Sequence, residues 1–331
     1  MQVLYISFPF LMVGIIGSGA VRAAGVIRLT DVIFGIAGVI NLVLDYLLIF
    51  GIGPFPALGL RGAAIATAIS FVFIFIGMIV ILVRRGMLGR TNFNGAAVAL
   101  RQIISFGIPT IAAQSLVPAT AMVATYLIAG FGFEAVAAFG VASRIEALAL
   151  IGVFAVSAAL TPFIAQNFGA NEHARIDQAV IFGGKATFYI GFALFIILAI
   201  FGPWLAQIFS DDPEVVRFVG LYFRIVAVSY GFQGLLNVTS AIFNGLQMPM
   251  TSLKLMAIRT FAIVFPLLFI GSYFGLTAIL VALAVGNIAS GFLAARMMRK
   301  TISTWDRPIA AAKPLQDIRA DIVGLFRRKR T

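Results

Sequence analysis

Apolar runs long enough to cross a bilayer recur along this chain. They lie near residues 1–21, 31–51, 62–83, 103–129, 135–163, 186–209, 215–243, 252–273 and 276–299. One helical crossing needs about 20 such residues. Lipid offers no partner to an unpaired backbone group, so a spanning run is either a helix or a strand of a closed barrel. Barrel strands alternate apolar and polar residues, whereas these runs are continuous. Composition agrees, with 61% hydrophobic and 11% charged residues and a mean hydropathy of +1.07. A soluble domain carries about 25% charged residues. The expected fold class is therefore all-α, a polytopic transmembrane bundle of nine helices. The apolar start lacks a basic leader and a small-residue cleavage pattern, so it is read as the first span.

The net charge of +12 raises the possibility of a nucleic-acid partner. Its distribution argues against one. Arg22, Arg28, Arg84, Arg85, Arg90, Arg101, Arg175, Lys185, Lys254 and Arg259 fall in one set of loops, and the tail adds Arg296, Arg299, Lys300 and a terminal RRKR. The other set holds Arg61, Arg217, Arg224 and the acidic SDDPE at 210–214. The first set is assigned to the cytoplasm by the positive-inside rule. A multi-pass protein of the cell's inner (plasma) membrane with a cytoplasmic C-terminus follows. The expected divisions are a partial lobe over 1–85, a cytoplasmic loop over 86–101, a six-helix lobe over 102–300 and a basic tail over 301–331 facing anionic headgroups.

A weak internal repeat runs through the chain. LGLRGAAIATAIS at 58–70 resembles FGLTAILVALAVGNIAS at 274–290, each with Gly-Leu before a small-residue helix. Upstream, YISFPF from Tyr5 pairs with YFRIVAV from Tyr222, an offset of roughly 217 residues. Helices one to three thus match helices seven to nine, and helices four to six lack partners. A cytoplasmic C-terminus after nine helices also leaves the N-terminus outside. Both observations lead to the expectation of three further helices before Met1.

Cysteine is absent and His173 is the single histidine, placed in a polar loop. No GxxxxGK[ST] loop, Ser-His-Asp set or metal-ligand cluster occurs, so neither an enzyme nor a bound cofactor or metal is expected. Two acidic residues lie well inside spans, Asp45 and Glu146. A carboxylate at a helix centre costs about 2.5–3.5 kcal/mol on insertion scales and normally faces a bundle interior or a wet cavity. Asn41 lies one helical turn before Asp45 on the same face. Counting from the GIGPFPALG turn, Asp45 and Thr67 both sit about 9–10 Å below the outer edge. Asn41 and Ser70 form a second level at about 15 Å. Burial disfavours the charged carboxylate, so Asp45 could take up and release a proton, or the oxygens could complete a sodium shell. The plainer alternative is a hydrogen bond between neighbouring helices.

Glu146 stands two residues after Arg144, about 200° around the helix, so the two do not pair. Glu146 is either a substrate contact or a lock between helices. Pro118 frees the carbonyl of Gln114 and suits a cavity wall or plain packing equally. Tyr230, Asn237 and Asn244 could line a cavity or bond neighbouring helices.

Two segments, NLVLDYLLIFGIGPFPALGLRGAAIATAIS at 41–70 and AVAAFGVASRIEALALIGVFAVSAALTPFIAQNFGA at 135–170, resemble the multidrug and toxic compound extrusion (MATE) transporters. The resemblance covers about residues 1–300 and corresponds to helices four to twelve of the family's twelve. It implies a two-lobe bundle with an incomplete N-terminal lobe. It implies proton- or sodium-coupled efflux of small amphipathic cations and drugs by a monomer in the bilayer. Asp45 and Asn41 match the family's coupling residues, with Thr67 beside them. Gln114, Arg144, Glu146, Tyr230, Asn237 and Asn244 are the candidate cavity residues. In the family, a further key acidic residue belongs to helix one, which has no counterpart here. Two alternatives are a lipid-linked saccharide flippase of the same superfamily, expected to carry more cavity cations than Arg144 alone, and a non-transporting fragment.

Overall fold

The computed structural model describes residues 2–88 and 95–303. The expected tail beyond residue 303 and the middle of the expected loop, 89–94, lie outside the described residues. Among the described residues all regular structure is helical, and nine helical stretches are long and apolar enough to cross a membrane. The chain divides into two compact units at Ala96 and Ala97, within the stretch read as the connection.

The first unit holds α1 (Gln2–Ala23), α2 (Ile27–Phe50) and α3 (Leu60–Arg84), with α3 packed along both predecessors. Small residues set the approach. A Cβ at Gly14 would stand 2.7 Å from Ile74 Cγ2, and one at Gly77 would stand 2.9 Å from Ile33 Cδ1. Gly62 lies directly on the Leu48 carbonyl. The contacts of Leu48 with Gly62 and of Ile33 with Gly77 place residues whose numbers sum to about 110 level on α2 and α3. Gly51 ends α2 in the left-handed region (φ 69°), and its N–H donates to the Leu47 carbonyl.

The second unit holds α4 (Ala96–Ala129), α5 (Phe133–Ala149), α6 (Ile151–Gly169), α7 (His173–Gln207), α8 (Pro213–Ile225), α9 (Tyr230–Gly245), α10 (Pro249–Ala257), α11 (Phe265–Tyr273) and α12 (Leu276–Ser303). A 3₁₀ turn over Ala227–Ser229 joins α8 to α9, and a π-helix over Ile258–Val264 joins α10 to α11. The run 135–163, expected as one span, is two helices meeting at Leu150. Hydropathy misses this junction because no polar residue marks it. Leu150 N–H still donates to the Glu146 carbonyl at 2.9 Å, and the Leu150 carbonyl still accepts from Phe154. His173 is also not in a loop. It opens α7, after Asn171 turns the chain at φ 58°, and Arg175 and Lys185 ride on the same helix. Asp212 caps α8 by accepting from Glu214 N–H at 2.9 Å, with Pro213 at the first helical position.

The sequence repeat has a structural counterpart. α12 packs on α9 and on the α10–α11 pair as α3 packs on α1 and α2. Each third helix starts immediately after a left-handed glycine, Gly59 (φ 55°) before Leu60 and Gly275 (φ 104°) before Leu276. The Gly-Leu motif persists because an L-residue is strained at such a φ.

The core of the second unit runs along α7 and α9, where Gly191 and Gly231 bring the two backbones into contact. Without a hydrophobic drive between helices in lipid, such close approach supplies the dispersion energy of association. Gly191→Ala should therefore cost about 1–3 kcal/mol by overpacking. Gly140 has open space around it. Gly140→Ala should instead be neutral or stabilising by up to about 1 kcal/mol. Thermal unfolding of the two variants in one detergent compares them directly.

Candidate functional site

In the first unit the register places Asp45 level with Ile65 and Asn41 level with Ile69. Thr67 lies two residues past the Asp45 level, and Ser70 one past that of Asn41. The four polar residues thus fall on neighbouring levels of α2 and α3. Their hydrogen bonds are less symmetrical. The Thr67 hydroxyl donates to its own helix at the Ala63 carbonyl (2.9 Å), and Ser70 donates to Ala66 (3.0 Å). Asn41 Nδ2 and Asp45 Oδ1 are buried and have no partner. A buried, unsatisfied amide donor one turn from an unsatisfied carboxylate oxygen costs stability. The Asn41 amide is left with a free donor and the Asp45 carboxylate with a free acceptor.

The second unit contains a polar cluster and, next to it, a cavity. The cluster centres on Glu146 of α5. The Tyr222 hydroxyl donates to Glu146 Oε2 in a short hydrogen bond, tying α5 to α8. Gln233 and Tyr230 stand near the same carboxylate, and Arg259 is close enough for its charge to act on it. Even so, the Tyr230 hydroxyl and Gln233 Oε1 complete no hydrogen bond of good geometry. Tyr230 is fully buried. Arg144 points elsewhere, as the spacing requires. It is exposed on α5 and is not among the residues that line the cavity.

The cavity has a volume of about 480 Å³ and is lined by α4, α6, α9, α10 and the π-helix. Gln114 and Pro118 of α4 line it, together with Asn237 and Asn244 of α9. Ser157 and Thr161 of α6 and Ser240 of α9 add hydroxyls. Gln233 and Arg259 line its wall and also neighbour Glu146, so cluster and cavity share two side chains. Of the candidate residues in this unit, Gln114, Asn237 and Asn244 meet at the cavity. Glu146 and Tyr230 belong to the adjoining cluster.

Arg259 corrects the reading that put it with Lys254 in a cytoplasmic loop. It is 7% exposed and sits on the π-helix inside the span Pro249–Tyr273. Its Nη2 donates to Asn287 Oδ1 of α12 at 3.2 Å, and Asn287 Nδ2 donates to Ser229 Oγ at 3.2 Å. Its Nε and Nη1 have no partner. The signal was present in the sequence, because the run 252–273 already places Arg259 seven residues inside a span. Tyr222, Gln233, Ser229 and Asn287 were also missed. Single polar residues in apolar helices look alike until packing chooses their neighbours.

The MatE family model matches residues 109–270. A FAD transporter of Shewanella oneidensis is 34% identical over 291 residues, covering 87% of this chain and 64% of that protein. The chain belongs to the MATE family. The multidrug export protein MepA of Staphylococcus aureus is 28% identical, covering 87% of this chain and 63% of its own length. The Vibrio cholerae MATE transporter VcmN, in its bent form, superposes with a TM-score of 0.77 at 30% identity, over 87% of this chain and 65% of VcmN. The chain thus spans a little under two thirds of the length of these MATE relatives. Family membership and nine apolar helices make it a multi-pass membrane protein.

The cluster gives a direct test. Tyr222→Phe leaves the Glu146 carboxylate without its donor and should cost about 1–3 kcal/mol. Arg144→Ala removes an exposed group and should stay within about 0.5 kcal/mol. Unfolding of both variants, read by tryptophan fluorescence in detergent, separates the two cases.

Proposed function

We propose that the protein acts in secondary active export of small amphipathic molecules, drugs among them, across the cell's inner membrane. Rearrangement of its two units between inward- and outward-open states would carry the substrate. Protons or sodium ions would drive the cycle. The observation that carries this reading is the polar-lined cavity of about 480 Å³ within helices apolar enough to span a membrane. A chamber lined by amides and hydroxyls has no packing role there, because helices in lipid gain nothing from unpaired amides. The named activities of MepA, VcmN and the Shewanella protein support the same conclusion.

Asp45 is the proposed coupling residue, with Asn41 and Thr67 beside it. The support is physical: an intramembrane carboxylate oxygen with no partner, one turn from an amide nitrogen with none. Ion binding there would satisfy the open carboxylate oxygen of Asp45. Organic cations, the substrate class that the family resemblance implies, would be held by the carboxylates Asp45 or Glu146. Monomeric action is part of the proposal. A flippase would need several cavity cations to hold a lipid-linked phosphate, and the lining of this cavity includes one, Arg259.

Ethidium efflux from everted vesicles with an imposed proton or sodium gradient tests the coupling. Asp45→Asn should reduce gradient-driven efflux by about tenfold or more. Thr67→Val, which loses only a hydroxyl bonded to its own helix, should reduce it far less. Efflux that survives Asp45→Asn unchanged would remove Asp45 from the coupling step.

A further inference from the structure

The cavity of the second unit presents a guanidinium with two nitrogen donors that have no partner. Arginine stays protonated in proteins, and a buried cation is costly unless it is paired. Arg259 is 7% exposed and lines the cavity, yet one hydrogen bond to the neutral Asn287 amide is the bond it makes through Nη2, while Nε and Nη1 have no partner. The residues that line the cavity include no carboxylate. Glu146, in the adjoining cluster, acts on Arg259 through its charge, while the hydrogen bond it accepts comes from the Tyr222 hydroxyl.

The backbone here is unusual as well. Arg259 is the second residue of a seven-residue π-helix, a rare element that is frequent at functional sites. The neighbouring Thr260 hydroxyl is buried without a partner too, unlike the hydroxyls elsewhere that bond the preceding turn. Asn244 Oδ1 and Gln233 Oε1 are open acceptors on the wall of the same cavity. Phe154, Leu236 and Met256 add apolar surface to the lining. The volume falls in the usual range for small-molecule sites, about 300–1,000 Å³.

We infer that this cavity binds an amphipathic organic anion, whose carboxylate or phosphate pairs with Arg259 while its flat or apolar body lies against Phe154, Leu236 and Met256. The open amide oxygens of Asn244 and Gln233 would take N–H or O–H donors on that body. The inference rests on the export reading only for its consequence, that such an anion is a substrate. The binding claim itself stands on Arg259.

A matched pair of probes isolates the charge. Riboflavin and riboflavin 5′-phosphate share one ring system and differ by a phosphate. Quenching of flavin fluorescence is measured on the purified full chain in phosphatidylcholine nanodiscs. The phosphate should improve affinity by about tenfold or more, as for a charge-assisted pair in a desolvated site. Arg259→Gln should abolish that preference while keeping riboflavin binding. Ala158→Trp, which fills the cavity from α6, should weaken both probes. Equal affinity of the two flavins in the unaltered chain overturns the inference, and this arm holds even if Arg259→Gln does not fold. A preference that survives Arg259→Gln also overturns it. Loss of phosphate-probe binding when phosphatidylglycerol replaces phosphatidylcholine assigns Arg259 to a lipid headgroup and overturns the soluble ligand. Binding needs no ion gradient, so a phosphate preference without gradient-driven efflux would reject the export reading and leave the anion site standing.

Discussion

Hydrocarbon offers no hydrogen-bond partner, and the rest of this structure follows from that constraint. Backbone groups are satisfied within helices. Most hydroxyls solve the same problem locally, by donating to a carbonyl one turn back. Thr67, Ser70, Thr120, Thr187 and Ser290 all do so. Such bonds cost nothing in tertiary specificity. Amides, carboxylates and the guanidinium cannot all be served this way, because they carry more donors or acceptors than one carbonyl can match. Among the described residues, buried polar atoms without partners occur at Asn41, Asp45, Asp177, Tyr230, Gln233, Asn244, Arg259 and Thr260. All but Asp177 and Thr260 belong to the two candidate sites.

The repeat gives that collection an order. Ser70 lies eleven residues after Gly59, and Asn287 lies twelve after Gly275. In the first unit the level of Ser70 is shared by Asn41, and in the second Asn287 is bonded to Arg259. One three-helix design thus places a polar pair at the same depth twice. The chemistry has diverged between them. The first unit adds a carboxylate one turn nearer the Gly-Leu end, and the second holds a guanidinium. An ion-coupling role for one and an anion-binding role for the other are consistent with that division.

Several parts of the second site were legible in the sequence for stated reasons. Pro118 removes a helical bond and opens the backbone at Gln114, and both line the cavity. Asn237 and Asn244 lie seven residues apart, on one face of α9, and both line it too. The i, i+2 spacing of Arg144 and Glu146 ruled out their pairing, and the partner of Glu146 is Tyr222, 76 residues away. What stayed hidden were the groups whose meaning depends on that kind of contact. Tyr222 reads as one more aromatic residue, and Asn287 as one more small-helix amide. Arg259 reads as the partner of Lys254 at a helix end until the π-helix is seen to carry it inward.

The sequence alone determined the class of fold, most of the spans and the repeat. These depend on hydropathy and on a fixed rise per residue, which act along one helix at a time. Only the tertiary structure decided which polar groups are used up and which remain free. It turned Thr67 toward its own helix and left Asp45 Oδ1 and Asn41 Nδ2 open. It divided the run 135–163 at Leu150, and it brought α4, α6, α9 and the π-helix around one chamber with Arg259 in its wall. Hydrogen-bond satisfaction is a property of neighbours, and in a helical bundle the neighbours of a side chain are set by packing between helices that lie far apart along the chain.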